Sequence, residues 1–233
     1  MSVKIERSSD ISGLIISGSE RKFALVLLHA FNQMPDDVRS LAMMFAENGI
    51  LVLAPKYVDA ADGINQAISA IRYAKARLEF DTARIGVAGI SLGGTVSLLA
   101  STQENVAFVG DYGGWVDMAG LYEFLEKFPK GTPQKTIAET MKAAVGTPQE
   151  SPDIYSLSSP LTYVELINGS VLIIHGEKDN MVPVSQSRVL YEKLKQLGRD
   201  VELHVIDSEY LFTGHEKELA DITIDFLRRR QKI

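Results

Sequence analysis

The chain has 233 residues, of which 45% are hydrophobic and 23% charged, with no cysteine and a formal net charge of -6. That length suits one α/β domain with a sizeable buried core. Lack of cysteine excludes disulfides, thiolate metal sites and a cysteine nucleophile, and the acidic balance argues against a nucleic-acid partner.

Short β-rich runs alternate with longer helical patterns, which predicts a mainly parallel twisted sheet with helices on both faces. Residues 3–17 read as a hairpin at the sheet edge, turning around Ser8-Ser9-Asp10. The apolar run 23–28 reads as a strand buried on both faces. Pro35 opens a helix carrying Val38, Leu41, Ala42, Phe45 and Ala46 at helical spacing, closed by Asn48-Gly49. A strand at 50–53 and a helix from about Gly63 to Leu78 follow. Next come a strand at 84–88, a helix from Leu92 to Ser101 and a strand at 106–109. Strands at 171–174 and 201–206 complete the sheet. A helix from about Pro183 to Leu197 lies between them, and another runs from about His215 to Arg230. The closing basic run, Arg228-Arg229-Arg230-Gln231-Lys232, reads as a helix C-terminus whose cations complement the helix dipole.

More than sixty residues separate the strands at 106–109 and 171–174, whereas a plain crossover needs about a dozen. Helical patterns at Met118–Phe128 and Gln134–Val145 lie between them, and prolines 148, 152 and 160 punctuate the return. The expectation is a single domain over 1–233 with a small helical cap inserted at about 116–159. No run reaches the roughly 18 apolar residues of a membrane span. Met1–Arg7 is charged and lacks the apolar core of a secretory signal. A cytoplasmic protein without a membrane partner is therefore expected.

Gly89-Ile90-Ser91-Leu92-Gly93 matches G-x-S-x-G and sits between a buried strand and a helix, where a nucleophile elbow must lie. The turn is so tight that its flanking positions must lack bulk, and both are glycine. The G-x-G-x-x-G spacing and the lysine of a phosphate-binding loop are both missing. A serine nucleophile needs a base, and histidine suits because it titrates near neutrality. His29 and His175 follow strands and His204 lies inside one, whereas His215 sits in the loop before the final helix. That loop is where the chain order Ser…Asp…His puts the base. Asp179, after the strand ending at Ile174, is the candidate acid that orients it, although Asp-Asn pairs also form turns. Asp111, after the strand at 106–109, competes with it, and Glu177 does so more weakly. The backbone N–H groups of Leu92 and Phe31 are the candidate oxyanion donors. Tyr112, Trp115 and Tyr122 are candidate pocket walls, or else part of the insertion's own core.

From Phe23 onward the chain resembles single-domain α/β-hydrolases of the prolyl-oligopeptidase-like and dienelactone-hydrolase-like branch. The stretch Ser159–Val164, followed by Val171–Pro183 with His175-Gly176-Glu177-Lys178-Asp179, is similar to the segment leading into that branch's catalytic aspartate. The resemblance implies the α/β-hydrolase fold and a Ser91–His215–Asp179 triad, working without metal or organic cofactor. Dienelactone hydrolases use cysteine where this chain has Ser91. The peptidases of the branch carry an N-terminal propeller for which this chain has no room. The oxyanion loop, His29-Ala30-Phe31-Asn32, lacks the second-position glycine common in relatives. A carboxylesterase acting on a small ester is therefore the expectation. Peptidase, thioesterase or acyltransferase activity, or a non-catalytic binding role, are its alternatives. Nothing in the sequence speaks to oligomeric state.

Overall fold

The structure, a computed structural model, describes residues 3–233. Met1 and Ser2, where the charged N-terminal run begins, lie outside the described residues. The strands are β1 (Lys4–Ser8), β2 (Gly13–Ser17), β3 (Phe23–Leu28), β4 (Ile50–Pro55), β5 (Ile85–Ile90), β6 (Phe108–Tyr112), β7 (Ser170–Gly176) and β8 (Val201–Ile206). They form one sheet in the order β1-β2-β4-β3-β5-β6-β7-β8. The β1–β2 hairpin attaches antiparallel to β4, and every pairing from β4 through β8 is parallel.

Successive residues of a strand point to opposite faces, so a central parallel strand must be apolar throughout. On β3, Leu25 and Leu27 join one core cluster while Val26 and Leu28 join the other. The first cluster is closed by α1 (Arg39–Glu47) and α8 (Glu216–Arg229), through Phe45, Phe226 and Leu227. The second is closed by α2 (Ala60–Arg77), α3 (Leu92–Ser101) and α7 (Ser185–Gln196), through Ile71, Val96 and Leu190. Helix α2 starts three residues before the expected Gly63, because Asp59 accepts the Asp62 N–H at 2.9 Å and caps it. Strand β6 runs past its expected end at 109. Gly110 and Asp111, which the sequence reading places after the strand, both pair with β5 and β7 on either side.

Between β6 and β7 lie α4 (Met118–Glu126), α5 (Pro133–Val145) and a short α6 (Pro152–Leu157). They share a small core of Leu121, Tyr122, Leu125, Ala138 and Tyr155, which Val182 joins from the β7 side. Gln186 of α7 accepts the Val116 and Asp117 N–H groups at 3.0 and 2.8 Å. Gln134 of α5 donates to the Asn180 carbonyl at 3.3 Å. These contacts seat the helices beside the carboxyl end of β7. Along the far edge, Arg229 and Arg230 pair with Glu202 and Asp200 and put charge beside β8. No helix among the described residues is long and apolar enough to cross a membrane.

Candidate active site

Ser91 stands at the junction of β5 and α3 with φ 54° and ψ -117°. A non-glycine residue pays of order 1–3 kcal/mol for such a conformation, which persists only where its surroundings impose it. Here the imposition is tight packing of α3 on the sheet. A Cβ on Gly89 would lie 2.5 Å from the Gly93 carbonyl carbon, and one on Gly93 would lie 2.5 Å from the Leu28 carbonyl oxygen. Only glycine fits either position. The Ser91 N–H donates to the Tyr112 carbonyl at 2.8 Å, so its side chain is carried above the sheet at the N-terminus of α3.

The loop after β3 is built around a buried histidine. His29 Nδ1 lies 2.9 Å from the Ala30 carbonyl, which only accepts, so Nδ1 carries the proton. The Tyr57 ring stacks on the imidazole at 4.1 Å, and its hydroxyl donates to the His29 carbonyl. Burial lowers the His29 pKa. His29 thus packs and orients the loop. Gln33 closes it further, accepting the Ala30 N–H at 3.1 Å. Among the described residues neither the Phe31 nor the Leu92 N–H has a protein acceptor, which leaves both donors available.

Asp179 lies in the turn after β7 with its side chain only 3% exposed. Its Oδ1 accepts the Met181 and Val182 N–H groups at 2.8 and 2.9 Å. Burial nevertheless pushes its pKa up to about 6. Fully buried His175 clamps the turn. Its Nε2 lies 2.9 Å from the Val182 carbonyl and must be the protonated nitrogen, so Nδ1 accepts the Ser187 hydroxyl at 2.6 Å. The same Nε2 is 3.6 Å from Asp179 Oδ2. Burial lowers the His175 pKa and keeps the ring neutral. Ser187 was not singled out by the sequence; its helical spacing marks only an inward face of α7. The competing acid, Asp111, is fully buried. One oxygen accepts the Gly114 N–H at 2.9 Å, and among the described residues the other has no partner. No described histidine bonds to Asp111.

His215 caps α8, its Nδ1 3.0 Å from Glu218 Oε2 and its side chain 37% exposed. The structure does not bond it to Ser91 or to Asp179. The Ser91 hydroxyl instead lies 2.9 Å from the hydroxyl of Tyr210, in the loop between β8 and α8. A Cβ on Gly113 would lie 3.5 Å from the Phe212 ring and 3.7 Å from Asp179 Oδ2, so ring and carboxylate share the space above Gly113. Sequence reasoning missed Tyr210, for which the available signal was an aromatic residue in the loop that bears His215.

A match to the BD-FAE family covers residues 51–194, more than half of the chain. The chain belongs to the BD-FAE family. It is also 32% identical over 174 residues to a Bacillus subtilis protein named uncharacterized peptidase YtmA, covering 69% of this chain and 64% of that one. The chain thus spans less than two thirds of that relative. Among solved structures, a truncated carbohydrate esterase from gut microbiota is similar with a TM-score of 0.80 at 20% identity, over 99% of this chain and 97% of that one. Pyrococcus horikoshii acylaminoacyl peptidase is similar with a TM-score of 0.76 at 19% identity, over 98% of this chain and 41% of that one. The fold is the α/β-hydrolase fold, as the sequence predicted.

In this BD-FAE member the three aromatic wall candidates are divided between two apolar clusters, Tyr112 in the core of the sheet and Tyr122 and Trp115 at the core of the inserted helices. Tyr112 is fully buried in the core, with its hydroxyl 2.9 Å from Thr223 on α8. Tyr122 lies in the core of the inserted helices, edge-on to Tyr155 at 5.9 Å. Trp115 is half-buried between those helices and the sheet, and its carbonyl accepts the Thr95 hydroxyl at 2.8 Å. Cavities of about 270 and 300 Å³ flank the insertion near Asp117 and Leu161, and Ser91, Asp179 and His215 line neither.

Proposed function

We propose that the protein is a serine hydrolase that cleaves carboxylic esters of small substrates through an acyl-serine intermediate. The observation that carries this reading is the elbow: a strained Ser91 at a helix N-terminus, set between Gly89 and Gly93, beside a Leu92 N–H that has no acceptor among the described residues. In the proposed reaction the Ser91 oxygen bonds to the ester carbonyl carbon as His215 takes the hydroxyl proton. Asp179 orients the imidazole and stabilises its cationic form. The Phe31 and Leu92 N–H groups hold the oxyanion. Collapse breaks the bond to the alkoxy group, which leaves with the proton from His215. Water then adds to the acyl carbon, giving its proton to His215, and Ser91 departs with that proton restored.

Membership of the BD-FAE family and similarity to proteins named esterase and peptidase support hydrolysis on this fold. Replacing Ser91 by Ala should abolish hydrolysis of short p-nitrophenyl esters and labelling by a fluorophosphonate probe. Retention of either in a folded Ser91→Ala protein refutes the nucleophile. The similarity to a protein named as a peptidase favours aminoacyl amides as a second substrate class. Comparing kcat/KM for matched ester and amide substrates decides between them.

A further inference from the structure

The loop from β8 to α8 fills the space between Ser91 and Asp179 with its own aromatic side chains. Tyr210 bonds to Ser91, the Phe212 ring and Asp179 Oδ2 both border the space above Gly113, and Ser91 is left 4% exposed. The backbone that achieves this is strained. Leu211, Phe212 and Gly214 have φ of 67°, 58° and 79°, a region in which leucine and phenylalanine crowd their own carbonyl groups. Both ends of the loop are anchored. The Glu177 and Lys178 N–H groups donate to the Ile206 and Ser208 carbonyls at 2.8 and 3.0 Å. At the other end, the His215 N–H closes a turn onto the Phe212 carbonyl at 2.8 Å, while the imidazole engages Glu218.

We propose that this is a latched resting state, in which the Tyr210 hydroxyl holds Ser91 in the place of the His215 imidazole, and that the loop over 207–215 exchanges one for the other when substrate binds. The proposal rests on the hydrolase reading above and concerns the regulation of that same site. Tyr210 is no substitute base. Burial raises its pKa, so the phenol stays protonated and offers Ser91 a hydrogen bond without removing a proton. In the latched arrangement the nucleophile is therefore both covered and without a base. A ligand shifts such an equilibrium only by binding one state better. An acyl group needs the volume that Tyr210 and Phe212 hold, so it binds only the open loop. Leu211 and Phe212 shed their left-handed strain as they leave. Admission of substrate and docking of the base thus become one event.

The test compares the wild type with Tyr210→Phe, which keeps the ring and removes only the hydroxyl. Two quantities are followed: the rate of fluorophosphonate labelling at Ser91, and amide hydrogen exchange through 207–215, with thermal melting as the check of fold. Labelling should rise about fivefold, the factor that one net hydrogen bond is worth, and loop exchange should quicken. In the wild type, phosphonylation of Ser91 should itself loosen the loop. Labelling of Tyr210→Phe at or below the wild-type rate with unchanged exchange would overturn the latch. So would a wild-type loop that stays equally protected once Ser91 is modified. If neither protein takes up the probe while Tyr210→Phe still exchanges faster, the hydrolase reading fails, and the latch falls with it.

Discussion

Replacing Asp111 by Asn should stabilise the protein, and do so more as the pH rises. The carboxyl is sealed at the end of β6, and burial pushes its pKa from 3.8 to about 7, against the smaller opposing effect of the Gly114 N–H. The folded chain thus holds a proton that the unfolded chain releases. Its contribution is fully favourable below about pH 3.8, and it is lost as pH rises until the folded group ionises near 7. Three units at about 1.4 kcal/mol each amount to about 4 kcal/mol at pH 8. Asparagine keeps an oxygen for the Gly114 N–H and carries no charge to bury. In a domain of this size about 4 kcal/mol corresponds to roughly 10 °C in Tm. The assay is urea unfolding of wild type and Asp111→Asn between pH 4 and pH 8. The two should converge at pH 4 and separate steadily above pH 5. Parallel curves across that range would refute the reasoning, because they would mean that the buried carboxyl carries no more protons in the folded chain than in the unfolded one.

Gly93→Ala should cost about 1–3 kcal/mol or more, since its Cβ would lie 2.5 Å from the Leu28 carbonyl oxygen. Thermal melting reads that loss, and ester hydrolysis should fall further than stability does, because the elbow and the oxyanion loop are forced apart together. Asp179→Asn should lower kcat about 10⁴-fold with KM little changed, by analogy with other triads that lose this carboxylate. In the wild type kcat/KM should fall as pH drops through about 6, the value to which burial raises Asp179. A pH–rate profile with no such limb removes Asp179 from the proton chain.

The sheet was legible because its central strands are buried on both faces and so are written as unbroken apolar runs. The run 23–28 is β3 residue for residue. Strand β6 was harder, since its apolar run stops at Val109 while the strand continues through Gly110 and Asp111. What makes them strand is a pairing on each side and one N–H donated back by Gly114. The elbow could be read because its steric demand falls close by in the chain, on the residues two positions either side of Ser91. The Tyr210–Ser91 contact could not, since it spans 119 residues and depends on the left-handed backbone at Leu211 and Phe212. Nothing in the identities of those two residues announces that conformation.

Two carboxyls compete for one role at neighbouring strand ends, and their surroundings separate them more sharply than their positions do. Both are raised by burial. Asp179 offers Oδ1 to two backbone N–H groups, while its Oδ2 faces the space under Phe212 and the neutral ring of His175. It ionises near 6 and is mostly carboxylate at neutral pH. Asp111 receives a single N–H and turns its other oxygen into a sealed space, where it ionises only near 7. An orienting acid must be charged while the base is taking a proton. Burial holds Asp111 toward its protonated form, and to orient an imidazole it would have to be exposed from a pocket closed by α3. For Asp179 the move required is that of one loop, already strained at Leu211 and Phe212, whose Tyr210 now holds Ser91. This difference supports Asp179 as the proposed partner of His215, and it makes the loop after β8 the element on which the proton chain depends.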